Sequence, residues 1–122
     1  MLPANLRIVR GDTFSLTLTV TRDGRPLDLT GALGLWLTAK TVVDNALDDA
    51  AAVFQKTLSA GIVVTDALGG VARVTIASVD TNTLSPGTTL HFDVQIKTAN
   101  GDILTVVVGT ILIVADVTRT TT

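Results

Sequence analysis

Residues 13–21, TFSLTLTVT, alternate without exception, with Phe14, Leu16, Leu18 and Val20 on one side and Thr13, Ser15, Thr17, Thr19 and Thr21 on the other. A period of two is a strand's period, because a helix would scatter these residues around its circumference every 3.6 positions. A strand with one apolar and one hydroxylated face is half-buried, and its apolar face has to be covered by a second layer. The chain is thereby directed toward a layered β fold. Composition points the same way: all 11 acidic residues are Asp, none is Glu, and threonine is abundant, a set that favours strands over helix surfaces.

Turn signals divide the remainder into short pieces. Asp23-Gly24, within Arg22-Asp23-Gly24-Arg25-Pro26, supplies the positive-φ positions of a tight turn, and a short strand over Leu27–Leu29 is expected to return from it. Leu33, Leu35, Leu37 and Ala39 then alternate with Gly34, Trp36 and Thr38; with the leucines toward the core Trp36 points outward as an interface anchor, the alternative being that a bulge or the opposite register buries it, as sandwich folds often bury a central-strand Trp. Residues 42–52, VVDNALDDAAA, break the period and predict a loop or short helix. Short strands follow at 53–58 and 62–64, split by Ser59-Ala60-Gly61, and Asp66–Gly70 turns into a strand at 71–76. Residues 78–84 suit a single helical turn, ended by Ser85-Pro86-Gly87. Leu90, Phe92, Val94 and Ile96 alternate with His91, Asp93, Gln95 and Lys97, and Asn100-Gly101 signals a hairpin into 103–114. Seven to eight short strands at this spacing predict an all-β, immunoglobulin-like antiparallel β-sandwich with one short helical loop; a small barrel is the alternative. The expected layout is an N-terminal arm at 1–11, the sandwich at 12–117 and a flexible Thr-rich tail at 118–122.

At 122 residues the chain is sized for one domain. It has no cysteine, hence no disulfide framework, thiolate nucleophile or Cys-based zinc site. No tyrosine, one tryptophan, three phenylalanines and a net charge of -2 give neither a stacking platform nor a basic patch, so no nucleic-acid partner is expected. The longest uncharged apolar stretch, Ile103–Ala115, falls short of the ~20 residues a membrane-crossing helix needs, and no membrane role is expected. MLPANLRIVRGD lacks the apolar core of a signal peptide, which predicts synthesis in the cytoplasm.

Chemistry-bearing residues are few. His91 is the only histidine, its strand position points it outward, and no Gly-x-Ser-x-Gly pattern accompanies it; neither catalysis nor a cofactor is expected. Asp44, Asp48 and Asp49 cluster without the spacing of a calcium loop and read as a solvated loop. Arg10-Gly11-Asp12 spells an integrin-type tripeptide at the entry to a strand, and Gly69-Gly70 precede a strand rather than the helix a phosphate cradle requires. The informative feature is ILTVVVGTILIV at 103–114, where Leu104, Val106, Val108, Leu112 and Val114 oppose Ile103, Val107, Ile111 and Ile113. An antiparallel strand with one wet face should alternate, so either a bulge at Gly109 swaps the faces or the second face meets another subunit. Trp36, Leu104, Val106, Val108, Leu112 and Val114 form the candidate assembly interface.

The segments RGDTFSLTLTVTRDGRPLDLTGA, VFQKTLSAGIVVTDALGGVARVTI and LSPGTTLHFDVQIKTANGDILTVVVGTILIVADVTR resemble small tailed-phage virion proteins. They are most similar to the immunoglobulin-like N-terminal domain of phage baseplate upper proteins, through Asp28-Leu29-Thr30-Gly31-Ala32, Asp93-Val94-Gln95 and Asp116-Val117-Thr118-Arg119. These are scaffold signatures and transfer no site. The resemblance implies a non-enzymatic structural component of a bacteriophage particle, in tail, baseplate or connector, located in the virion and built from contacts with other virion proteins, as a homo-oligomer or in many copies. Because the sequence ends just after that domain, no receptor-binding module is expected. The alternatives are a capsid decoration protein, a carbohydrate-binding adhesin, for which the aromatic content is too low, and a hydrolase, which would need His91 in a pocket.

Overall fold

A computed structural model describes residues 2–41 and 52–117. Ten strands form: β1 (Leu2–Val9), β2 (Phe14–Thr19), β3 (Thr21–Arg22), β4 (Arg25–Pro26), β5 (Gly34–Lys40), β6 (Phe54–Leu58), β7 (Gly61–Asp66), β8 (Val71–Ile76), β9 (Thr89–Lys97) and β10 (Ile103–Val114), with one helical turn, α1 (Ser78–Thr81). Eight of them make one sheet in the order β1-β10-β9-β5-β6-β7-β8-β2, while β3 and β4 form a separate hairpin. The fold is all-β, as the alternating patterns require.

The long sheet folds over at the β6–β7 corner, where only Thr57–Gly61 and Leu58–Ile62 are paired. Ser59 and Gly61 take positive φ there, which lets the chain pass from β6 to β7 through only Ser59 and Ala60. On one side of the corner lie β1, β10, β9, β5 and β6, and on the other β7, β8 and β2, their inward residues meeting in a single apolar cluster. The layers follow the immunoglobulin plan: β5, β9 and β10 take the places of strands C, F and G, and β2, β8 and β7 those of B, E and D.

Alternation decides which residues enter that cluster. On β9, Leu90, Val94 and Ile96 are fully buried and Phe92 nearly so, whereas the residues between them are half-exposed. Each such side chain contributes about 1.5–3 kcal/mol by leaving water. Beside them in the same layer lie Leu35, Leu37 and Ala39 of β5, and across from them Ala72, Val74 and Ile76 of β8 and Leu18 of β2 complete the packing. Leu33 departs from its expected place. It precedes β5, donates its N–H to Lys97 O (2.8 Å) and remains 61 % exposed, because the covering layer ends before it.

Four further expectations are corrected. The N-terminal arm is a strand of the sheet: β1 pairs in parallel with β10 from Leu2–Val107 to Val9–Val114. The sheet is therefore mixed rather than purely antiparallel. No strand spans Leu27–Leu29; after β4 the chain is held irregularly by Leu27 N–H to Val20 O (2.9 Å) and Leu29 N–H to Ala67 O (2.8 Å). The bulge in β10 sits between Thr105 and Val107, not at Gly109. The expected loop or helix at 42–51, with Asp44, Asp48 and Asp49, and the tail at 118–122 lie outside the described residues.

The turns follow their residue chemistry. Asp23 and Gly24, both at positive φ, close the β3–β4 hairpin. Between β9 and β10, Gly101 at φ 91° donates to Thr98 O (2.9 Å) and Thr98 N–H to Asp102 O (2.8 Å), a turn ending in a glycine bulge rather than the tightest two-residue loop. Gly109 is required for a different reason. It registers with Ala4, and a Cβ there would collide with the Ala4 carbonyl and lie 2.7 Å from its carbon.

These two glycines give a paired expectation. Gly101→Val meets no atom within 4 Å of the new Cβ and costs only the strain of its φ, about 1–3 kcal/mol. Gly109→Ala has to push β1 off β10, and urea denaturation together with loss of amide protection in residues 4–8 should show a larger penalty than that of Gly101→Val.

Candidate assembly interface

The outer face of the larger layer can be read row by row from the strand registers. Across β1, β10, β9 and β5 the rows run Val9–Val114, Arg7–Leu112–Thr89, Asn5–Thr110–His91–Lys40 and, on β10, β9 and β5, Val108–Asp93–Thr38. Below the bulge come Thr105–Gln95–Trp36 and Ile103–Lys97–Gly34. Of the six expected interface residues, Val108, Leu112, Val114 and Trp36 are thus on the outer face.

Leu104 and Val106 are not. The extra residue at the bulge shifts the phase of β10, so that Leu104 stands opposite buried Ile96, Val107 opposite buried Val94, and Val106 packs against the core cluster. The doubled apolar pattern thus has two causes: a phase shift that feeds both Leu104 and Val107 inward, and an apolar stripe that remains outside. Val108 is 41 % exposed, Val9, which sits beside Val114 on β1, 37 % and Ile103 65 %, while Leu112 and Val114 are half-buried beside the β1 backbone. Val9 adjoins this stripe through Val114, whereas Ile103 lies beyond Thr105, in the row next to Trp36; sequence reasoning misses both, because it places Val9 in an arm and Ile103 on the side opposed to the candidate residues.

Trp36 is outward yet half-buried, because its ring lies across the Cα of Gly34, where any side chain would collide with the indole. Gln95 and Thr105 separate it from the upper β10 stripe, so it is a second apolar spot rather than an extension of the first. Around both spots the surface is polar: Thr110 Oγ1 donates to Asn5 Oδ1 (2.9 Å) and Gln55 Nε2 to Thr38 Oγ1 (2.9 Å).

The two ends of the sequence are joined at the margin of the stripe. Arg10, only 9 % exposed, donates from Nε to Asp116 Oδ1 (2.9 Å), pairs through Nη2 with the same carboxylate (2.8 Å) and donates from Nη1 to Leu84 O (3.1 Å). Gly11 N–H donates to the fully buried Thr81 hydroxyl (2.9 Å), locking α1 beneath β1. Asp80 accepts from Ala77 N–H (2.7 Å) and pairs with Lys56 Nζ (2.6 Å), which ties α1 to β6. The Arg10-Gly11-Asp12 tripeptide is consequently built into the domain's base and presents no free arginine. None of these partners shares a sequence motif, so no local signal exposes them.

His91 lies on the outer face between Thr110 and Lys40, as its alternation implies. Among the described residues no three His, Asp or Glu side chains come together to hold a metal ion. Asp28, fully exposed in the turn before Gly31, accepts from the Thr30 hydroxyl and the Thr30 N–H (2.8 Å), which holds its carboxyl below the usual 3.8. A lowered pKa stabilises the fold above the unfolded value and is lost as pH falls through the folded one, so this turn loosens only in acid.

No protein-family model matches the chain, and a comparison with curated proteins finds no match either.

Arg10→Ala should destabilise the domain by about 2 kcal/mol or more, because a mostly buried carboxylate and a carbonyl lose their donors. His91→Ala should change stability by less than about 0.5 kcal/mol, the range of surface substitutions. Urea titrations of the two variants side by side test the inward and outward assignments together.

Proposed function

We propose that this protein is a non-enzymatic assembly subunit of a bacteriophage particle, acting through contacts with other virion proteins and present in several copies. The observation that carries the reading is the outer stripe of Val9, Val108, Leu112 and Val114 along β1 and β10, apolar where a two-layer sandwich needs polar residues. The resemblance of the strand and turn segments to the immunoglobulin-like domain of phage baseplate upper proteins supplies the biological setting. Thr110 interrupts the stripe between Val108 and Leu112, and Arg7, Asn5, Thr89 and Asp93 flank it, an apolar strip with polar borders of the kind found at protein interfaces.

A stable contact of this kind covers at least ~1,000 Å². Val108→Lys combined with Leu112→Thr replaces outward apolar side chains, the lysine facing Asp93 across the strand pair, and should leave the protein folded with a cooperative denaturation curve. The wild-type protein should sediment above its 12.7 kDa monomer mass and the double variant at it. A wild-type chain that stays monomeric at high concentration, together with a particle map showing no contact through β1 or β10, would overturn the proposal.

A further inference from the structure

We propose that Asn100, at the tip of the β9–β10 hairpin, is a site of spontaneous covalent modification by water. Its side-chain amide is displaced by the backbone nitrogen of Gly101, and the ring so formed opens to aspartate or isoaspartate. The inference rests on the hairpin alone and not on the phage reading.

The step is an intramolecular acyl transfer. The Gly101 nitrogen, once it has given its proton to hydroxide, attacks Cγ of Asn100; the bond from Cγ to the side-chain nitrogen breaks, ammonia leaves and a five-membered succinimide closes. Water then adds to one of the two ring carbonyls and the ring C–N bond at that carbon breaks. Opening at Cγ leaves aspartate, whereas opening at the backbone carbonyl leaves isoaspartate, whose main chain runs on through the side-chain carbons. Water is consumed and ammonia released, with no change of oxidation state. Nucleophile and acyl carbon belong to adjacent residues, so the attack needs no encounter and is limited by room around the nitrogen and by the freedom of the turn.

The hairpin supplies both. Asn100 and Gly101 are exposed, and among the described residues the Asn100 side chain makes no hydrogen bond that would hold it away from the nitrogen. Gly101 has no side chain, and the position a Cβ would take has no atom within 4 Å, so the ring closes into open space. The last rung of the ladder is Lys97–Ile103, and residues 98–102 beyond it are held by turn hydrogen bonds. The one that occupies the attacking nitrogen runs from Gly101 N–H to Thr98 O (2.9 Å). A single exposed hydrogen bond slows the attack by no more than about tenfold.

The other asparagines lack this combination. Asn5 lies within β1, accepts at Oδ1 from the Thr110 hydroxyl (2.9 Å) and is followed by Leu6. Asn82 caps the end of α1 before the branched Thr83, and Asn45 precedes Ala46. Asp23-Gly24 closes a similar hairpin, yet an ionised carboxylate is a poorer acyl donor than an amide, so Asn100 reacts first. The product adds a negative charge two residues from Asp102, in a chain whose net charge is already -2. Isoaspartate also lengthens the main chain inside the turn and breaks the Gly101–Thr98 hydrogen bond.

The test stores the full chain, folded, at mildly acid, neutral and mildly alkaline pH, and again unfolded in guanidinium chloride. Trypsin then releases residues 98–119 as one peptide. Conversion at Asn100, read as the mass change from amide to acid, should rise in proportion to hydroxide. The folded chain should convert at no less than about a tenth of the unfolded rate. Asn5, Asn45 and Asn82 should stay intact over the same period, and in the isoaspartate fraction the amides of Thr98 and Gly101 should exchange faster with solvent. Asn100→Gln, which would have to close a larger ring, should keep the fold and lose the conversion. A folded chain whose Asn100 stays intact while the unfolded chain converts, another asparagine converting as fast, or a rate indifferent to pH would each overturn the proposal. These readings use the wild-type protein and depend on no variant's folding.

Discussion

Parallel pairing of β1 with β10 is the contact on which the rest of this structure depends. Residues 2–9 lie against residues 107–114, so β10 is no longer an edge of the larger layer. This contact requires the backbone of Ala4 to approach Gly109 more closely than any Cβ would allow, which makes a residue without a side chain a condition of closure. It also delivers Arg10 to Asp116 and Gly11 to Thr81, fastening the base of the domain across separations of 106 and 70 residues.

The same contact determines which surfaces remain available. By occupying the β10 edge, β1 half-covers Leu112 and Val114 and extends the apolar stripe through Val9. Among the described residues β2 pairs on one side only, with β8, and an apolar groove lies between it and β1. The outer apolar residues and the open edge are thus two results of one choice of pairing. Parallel pairing of distant segments has a high loop-closure cost and is secured only when the intervening strands are in place. The base cluster of Arg10, Asp116, Thr81 and Asp80 supplies polar fastening where the apolar core tapers.

Charge placement follows the same economy of core and rim. Lys56 starts on the inner side of β6 opposite Leu37, yet its stem carries the ammonium to Asp80 at the margin, 5.8 Å from the centre of the Phe54 ring. Long cationic side chains can cover apolar surface while keeping their charge paired at the edge, and here one does so while anchoring the helical turn.

The sequence by itself determined the local elements. Strict alternation at 13–21 and 90–97 settled both the strands and their buried faces, because a period of two leaves one answer once a face is dry, and Asp23-Gly24 and Asn100-Gly101 marked two reversals through their tolerance of positive φ. His91 was legible as outward by the same rule, whereas Trp36 and the doubly apolar run at 103–114 left two registers open. Only the tertiary structure decided what depends on partners far apart in the chain. The parallel docking of β1, the phase shift at Val106 that drew Leu104 and Val106 away from the surface, the burial of Arg10 and the open edge of β2 have no local signature. Each is fixed by which strand lies beside which, and pairing between distant segments is chosen by total packing of the core rather than by any residue's own preference.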